Sequence, residues 1–107
     1  MKWETLNAED QFLNLLSSDT KFAVFKHSTR CATSSMAKRR VERDWDIELP
    51  IYYLDLLQYR SLSNLISEKA KVEHQSPQLL VFQNGKTIYD ASHNGIIVED
   101  LKKELIN

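Results

Sequence analysis

Residues 21–34 read KFAVFKHSTRCATS, and this stretch predicts a strand that leads directly into a helix. Its first half, Lys21–His27, is apolar at the centre and rich in β-forming residues, which predicts a buried strand. The second half is polar and opens a helix with apolar residues at intervals of four, ending near Trp45. The only cysteine of the chain, Cys31, therefore lies where a buried strand ends and a helix begins.

Further strands and helices are predicted on both sides of this stretch. An N-terminal helix is capped by Asn7 and extends to about Ser17. The later elements are a strand at Ile51–Asp55, a helix capped by Ser61 or Ser63, strands at Leu79–Gln83 and Lys86–Ala91, and a helix at Val98–Ile106. The dipeptide Asn84-Gly85 between the last two strands is a strong hairpin signal, because both residues tolerate a positive φ.

The predicted order of elements is α-β-α-β-α-β-β-α. The first two strands are joined through a helix, so we expect them to be parallel with a right-handed crossover. The last two strands are expected to form an antiparallel hairpin. We therefore predict one α/β domain over residues 1–107, a thioredoxin-like fold with a four-stranded mixed sheet and helices on both faces.

The composition excludes several classes of protein. The 107 residues are 42% hydrophobic and 27% charged, which is typical of a single globular domain. A net charge of −1 gives no general attraction to nucleic acid or to anionic membranes. The longest apolar runs are far shorter than the ~20 residues of a membrane helix. The N-terminal stretch Met1–Thr5 lacks the apolar region of a signal peptide, so we expect a soluble cytoplasmic protein with no nucleic-acid or membrane partner.

The position of Cys31 favours a reactive thiol over a structural one. With one cysteine, the chain forms neither an internal disulfide nor a C-x-x-C couple. Free N–H groups at a helix N-terminus favour an anion, and a thiolate is such an anion. The flanking residues are polar and Arg30 is adjacent, whereas an inert cysteine is typical of apolar surroundings. Ser34 stands at the position of the second cysteine of a C-x-x-C pair, and its hydroxyl can donate to the thiolate.

The dipeptide Ser76-Pro77 precedes the third predicted strand. Only about 5–6% of X–Pro bonds are cis in folded proteins. In a thioredoxin-like sheet, however, this place is taken by a cis-proline whose loop faces the reactive cysteine. We therefore predict a cis bond before Pro77.

Several segments, in the same order along nearly the whole chain, resemble the monothiol bacilliredoxins, the YtxJ-like proteins of the bacillithiol system. The matching segments are Phe25–Cys31, Tyr53–Asp55, Tyr59-Arg60, Leu62–Asn64, Val72–Gln78 and Ser92–Asn94. The resemblance implies a thioredoxin-like fold whose single active-site cysteine removes bacillithiol from mixed disulfides on other proteins. Ala32 departs from the family, which often has proline directly after the cysteine.

The resemblance also implies roles for individual residues. Cys31 would be the nucleophile, Ser34 the residue in the resolving position and Pro77 the cis-proline. The residues expected to bind substrate or to form the surroundings of the thiol are Lys26, His27, Arg30, Thr33, Lys38, His74 and Ser76.

Some of these residues have a more ordinary interpretation. A histidine such as His27 at a strand end is more often packed than a general base, and His74 and His93 are equally well turn residues. The basic run that starts at Lys38 is typical of a solvated helix face. Because bacillithiol carries a malate group, an anion-binding role for Lys38 or Arg39 is a hypothesis.

The implied reaction is thiol–disulfide exchange between Cys31 and S-bacillithiolated client proteins, after which Cys31 carries the bacillithiol. Because the chain has no second cysteine, another thiol, either free bacillithiol or another redoxin, must regenerate it. No resident cofactor or metal is expected, since one cysteine and three scattered histidines show no ligand spacing. Two other functions stay open: a monothiol glutaredoxin-like carrier of iron–sulfur clusters, and a non-enzymatic thioredoxin-like adaptor that binds partners through residues 38–43.

Overall fold

The computed structural model describes residues 1–106 and contains five strands and four α-helices in that part of the chain. The strands are β1 (Trp3–Thr5), β2 (Phe22–His27), β3 (Ile51–Asp55), β4 (Gln78–Gln83) and β5 (Lys86–Ser92). The helices are α1 (Glu9–Ser17), α2 (Ala32–Asp44), α3 (Arg60–Ala70) and α4 (Val98–Ile106), with a short 3₁₀ helix at His93–Gly95 before α4.

The strands form one mixed sheet in the order β1-β3-β2-β4-β5. β1 and β2 each pair with β3 in parallel, and β4 runs antiparallel to both β2 and β5. The prediction of four strands is wrong, because Trp3–Thr5 adds a fifth strand at one edge. Three residues are too short to show a strand period, and this strand is held by its pairing with β3 and by Trp3. The ring centroid of Trp3 lies 5.6 Å from that of Phe25 and 5.8 Å from that of Tyr53.

Two predicted helix starts are also wrong. The N-cap of α1 is Ala8 instead of the predicted Asn7. The backbone N–H of Asn7 donates to the side chain of Gln11. α3 begins at Arg60, before either predicted serine cap, because the turn after β3 is already closed by the carboxylate of Asp55.

β2 is buried along its whole length, as predicted, because the sheet is covered on both faces. Since side chains alternate along a strand, Ala23 and Phe25 pack with α2 and α4, whereas Phe22 and Val24 pack with α1 and α3. The predicted hairpin turn is confirmed, with φ of 53° at Asn84 and 75° at Gly85. Within residues 1–106, no helix has the length and apolar character needed to cross a membrane.

This architecture brings the three segments of the candidate site to one end of the sheet. β2 ends at His27, where the chain turns into α2, and β4 begins at Gln78 directly after Pro77. Lys26 and Gln78 are paired residues of β2 and β4, so the loop before β4 lies beside the end of β2.

Candidate functional site

Cys31 occupies the N-cap position of α2. Its backbone is extended (φ −111°, ψ 120°), and its carbonyl accepts the N–H of Ser35 at 3.0 Å, the first turn of the helix. Its own N–H donates to the carbonyl of Ser28 at 3.2 Å, which closes the turn between β2 and α2. The side chain is partly exposed. The predicted position at a strand end and a helix start is therefore confirmed, and the thiol is accessible beside the free N–H groups of the first helical turn.

Ser34 connects this helix to the end of β2. Its side chain is fully buried, and its Oγ lies 2.6 Å from Nδ1 of His27 and accepts the N–H of Ser28 at 3.0 Å. A hydroxyl has one proton, which Ser34 gives either to His27 or to another acceptor. Donation from Ser34 to the Cys31 thiolate, which stays a prediction, thus requires the His27 tautomer whose Nδ1–H donates to Ser34.

His27 is a packed histidine, the more ordinary of its two interpretations. It is only 5% exposed and lies between Phe25 and Tyr53, with ring centroids 6.0 and 5.5 Å away. Burial lowers the pKa of His27, and the nearby Lys38 ammonium lowers it further. His27 is therefore neutral at pH 7.

Lys26, the preceding residue, points to the opposite face of the sheet. It is completely buried, and its Nζ donates to the carbonyl of Ser63 at 3.0 Å and to Oγ of Ser67 at 2.7 Å. It also lies 3.3 Å from Nδ1 of His74, in the loop before Pro77. Burial lowers the pKa of Lys26 to about 8, against an opposing effect of the Asp90 carboxylate. Lys26 therefore joins α3 to the proline loop from inside the protein.

The proline loop is held by buried polar contacts. The Ser76-Pro77 bond is cis, as predicted. Gln78 is 1% exposed, and its Nε2 donates to the carbonyl of Glu73 at 3.1 Å and to Oδ1 of Asp90 at 3.0 Å. The carbonyl of Pro77 accepts the N–H of His93 at 3.1 Å. The loop is thus fixed at both of its ends.

His74 is half-buried and faces the Lys26 ammonium. Because an ammonium only donates, Nδ1 of His74 accepts, and the ring proton lies on Nε2 when His74 is neutral. Burial lowers the pKa of His74, as do the charges of Lys26 and Arg60. Ser63 and Ser67, the neutral partners of Lys26, and Gln78, which holds the proline loop, are not predicted from the sequence. A signal was present, since small polar residues four apart interrupt the apolar face of α3.

Lys38, Arg30 and Thr33 are further residues of the predicted site. Lys38 lies on α2 with Nζ 2.9 Å from the carboxylate of Glu42 and above the rings of Trp3 and Tyr53, at 5.6 and 5.8 Å from their centroids. Arg30 and Thr33 are exposed near Cys31. The structure thus places His27, Ser34 and Lys38 on the α2 side of the sheet and Lys26 and His74 on the α3 side.

Metal binding is not indicated by the geometry. Within residues 1–106, no group of three or more His, Cys, Asp and Glu side chains is arranged to hold a metal ion. The one cysteine can supply a single thiolate.

The comparison with known families gives one match, to the monothiol bacilliredoxin BrxC, over residues 4–101. The chain belongs to the monothiol bacilliredoxin family. Among solved structures, it is 33% identical to a protein described as a candidate oxidoreductase with a thioredoxin fold, with a TM-score of 0.81 over 94% of this chain and 91% of that one.

Two thioredoxins show the same fold at lower identity. The thioredoxin of Malassezia sympodialis (Mala s 13) is 16% identical, with a TM-score of 0.76 over 98% of this chain and 89% of that one. The thioredoxin of Trypanosoma brucei brucei is 18% identical, with a TM-score of 0.76 over 98% and 88%. The predicted thioredoxin-like fold is therefore confirmed, and the family together with the oxidoreductase neighbour supports a redox function.

Proposed function

We propose that this bacilliredoxin removes bacillithiol from S-bacillithiolated proteins through a mixed disulfide on Cys31. The observation that carries the proposal is a single, partly exposed thiol at the N-cap of α2 in a member of this family. A free thiol of this kind suits the reducing cytoplasm, where we place the reaction.

The proposed step is an in-line displacement at sulfur. The Cys31 thiolate attacks the bacillithiol sulfur of the protein–bacillithiol disulfide. A new disulfide forms between Cys31 and bacillithiol while the original one breaks, and the electron pair of the broken bond leaves with the sulfur of the client protein. That sulfur takes up a proton, so the step exchanges one disulfide for another without an external oxidant.

Unpaired N–H groups of the first turn of α2 stabilise the attacking thiolate, because they carry the positive end of the helix dipole. Ala32 contributes one such N–H, which the proline frequent in the family lacks. The proline loop supplies a second element: the extended backbone of a client protein can pair with the chain at Ser76, before β4 begins.

Regeneration needs a second thiol from outside the chain, since Cys31 is its only cysteine. Free bacillithiol or another redoxin attacks the Cys31–bacillithiol disulfide and releases the Cys31 thiolate. Accumulation of the mixed disulfide in the absence of such a thiol follows directly from this cysteine count.

Intact mass spectrometry tests the proposal. The reduced protein is mixed with a bacillithiolated model protein and, in parallel, with the same protein carrying glutathione. We expect an adduct of the mass of bacillithiol on Cys31, formed faster than the glutathione adduct. Absence of both adducts would contradict the exchange function, and equal rates would contradict specificity for bacillithiol.

A Cys31→Ser variant is the matched control for this assay. The side chain is partly exposed and caps the helix through its backbone, so the variant is expected to fold like the wild type. We expect it to lose all exchange activity because the hydroxyl is not ionised at neutral pH. Residual activity would exclude Cys31 as the nucleophile.

A further inference from the structure

Several residues of α2 lie on the same side of the helix as Cys31. Ser35, Lys38 and Glu42 follow the cysteine at spacings of four, seven and eleven residues, so they share its side of the helix. A cleft of about 300 Å³ runs along this side, lined by these three residues together with Arg39, His27 and Tyr53. We call it the α2 cleft.

A buried histidine forms part of the wall of this cleft. His27 is 5% exposed, and its Nδ1 is engaged by Ser34. The ring of His27 forms part of the cleft wall. When Ser34 donates to Nδ1, the proton of the neutral ring lies on the other ring nitrogen, Nε2, so the imidazole then carries an N–H donor.

The charges around the cleft favour an anion. Lys38 and Arg39 contribute two positive charges, and Glu42 contributes one negative charge. Hydrogen bonds from Lys38 and then from Trp3 lower the pKa of Glu42, so its carboxylate is ionised. The Lys38–Glu42 pair is partly solvent-exposed, and such pairs are weak enough to exchange partners. A carboxylate on the ligand can therefore replace Glu42 as the partner of Lys38 and also accept hydrogen bonds from the Arg39 guanidinium.

We propose that the α2 cleft binds a carboxylate of the low-molecular-weight thiol that becomes linked to Cys31. The inference rests on the proposed exchange reaction, and it identifies the part of the protein that recognises the small thiol. The volume supports a small molecule as the occupant, because it lies at the lower end of the roughly 300–1,000 Å³ typical of small-ligand pockets. The ammonium above two aromatic rings and the buried imidazole supply the polar groups that orient it.

Two synthetic thiols of equal length, one ending in a carboxylate and the other in a hydroxyl group, test the proposal. A model protein with one cysteine is linked by a disulfide to 6-mercaptohexanoate or to 6-mercaptohexanol, and the rate at which Cys31 takes each thiol is measured by intact mass. The chains have equal length, so both adducts can extend along α2. We expect the carboxylate-bearing thiol to be transferred about fivefold faster at low salt, with the preference declining as ionic strength rises.

Variants of α2 assign this preference to the cleft. Arg39→Ala and Lys38→Gln are expected to reduce it severalfold, whereas Glu42→Gln, which keeps a hydrogen-bonding side chain, should increase it. Arg43→Ala is the matched control, because it removes the same charge from the same helix one turn beyond Arg39 and outside the cleft. We expect it to retain the wild-type preference.

The outcomes separate this proposal from the exchange function. Transfer of both thiols at equal rates, or an equal loss of preference in Arg39→Ala and Arg43→Ala, would overturn the α2 cleft as the binding site while leaving the exchange function intact. Transfer of neither thiol would contradict the exchange function, and with it the inference that rests on it. A preference lost in Arg39→Ala and Lys38→Gln but kept in Arg43→Ala supports the cleft.

Discussion

His27 and Lys26 are neighbours in the chain, yet they belong to two different polar regions. His27 faces α2, bonds to Ser34 and borders the α2 cleft. Lys26 faces α3 and is completely enclosed by Ser63, Ser67 and His74. Burial lowers the pKa of both residues. The difference is that one region opens to solvent beside the thiol, whereas the other holds the proline loop from within.

Consecutive residues of β2 therefore supply polar groups to the two opposite faces of the sheet. Side chains of β2 point to opposite faces in turn, so a single step along the chain moves from the cleft to the interior. A neutral imidazole suits the open side, where one ring nitrogen bonds to Ser34 and the ring borders the cleft. A lysine suits the closed side, because one ammonium can donate to three acceptors on two segments.

The largest expected effect concerns the charge of Lys26. Its pKa falls from 10.5 to about 8 on folding, so between these pH values the unfolded chain holds a proton that the folded protein lacks. The free energy of unfolding therefore rises with pH in this window, by about 2–3 kcal/mol up to pH 10. The Lys26→Met variant is expected to lack this increase in the free energy of unfolding. Urea unfolding of both proteins at pH 7 and pH 10 measures the difference, which cancels the titration of groups common to both.

The same variant tests whether the buried ammonium stabilises the fold at pH 7. Methionine has a similar volume, and the carbonyl of Ser63 keeps its place inside α3. Because the desolvation of the charge is removed together with its hydrogen bonds, we expect Lys26→Met to be at least as stable as the wild type at pH 7. Parallel pH dependences of the two proteins would contradict a lowered pKa for Lys26.

The next largest effect is expected from removing the hydroxyl group of Ser34, the partner of His27, or that of Ser67, a partner of Lys26. Ser34→Ala leaves Nδ1 of His27 and the N–H of Ser28 without their partner in a buried position. We expect it to lower the free energy of unfolding by about 2 kcal/mol, read from the urea midpoint. Ser67→Ala is the matched variant on the other face, and we expect a loss of about 1 kcal/mol or less, because Lys26 keeps two acceptors. A larger loss in Ser67→Ala would reverse the comparison.

The sequence predicts the parts of the site that depend on local pattern. The end of the strand before Cys31, the start of the helix after it and the hairpin at Asn84 follow from short stretches of residues with known preferences. The cis bond before Pro77 is predicted only once the thioredoxin-like fold has been inferred. The short strand β1 was missed because its three residues acquire their conformation by pairing with β3. That pairing joins residues about fifty positions apart in the chain, and no local pattern records it.

The separation of Lys26 and His27 onto opposite faces of the sheet is only partly predictable from the sequence. A lysine inside the otherwise apolar run of β2 indicates a buried charge once both faces of the strand are known to be covered. Its partners could not be predicted, because Ser63, Ser67 and His74 come together only when α3 packs on the sheet. The same holds for the α2 cleft, since its wall combines α2 with Tyr53 of β3.

The smallest effect is a shift in two histidine pKa values, and it tests whether the regions are electrostatically separate. Burial and then Lys38 lower the pKa of His27, whereas burial and then Lys26 lower that of His74. Removing the charge of Lys38 with Lys38→Gln should therefore raise the pKa of His27 and leave that of His74 unchanged. Lys26→Met should do the opposite. Proton NMR titration of the imidazole signals measures both values in each variant. A variant that moves both histidines equally would show that the two faces share one electrostatic environment, and the closed and open regions would then have to be treated as a single site.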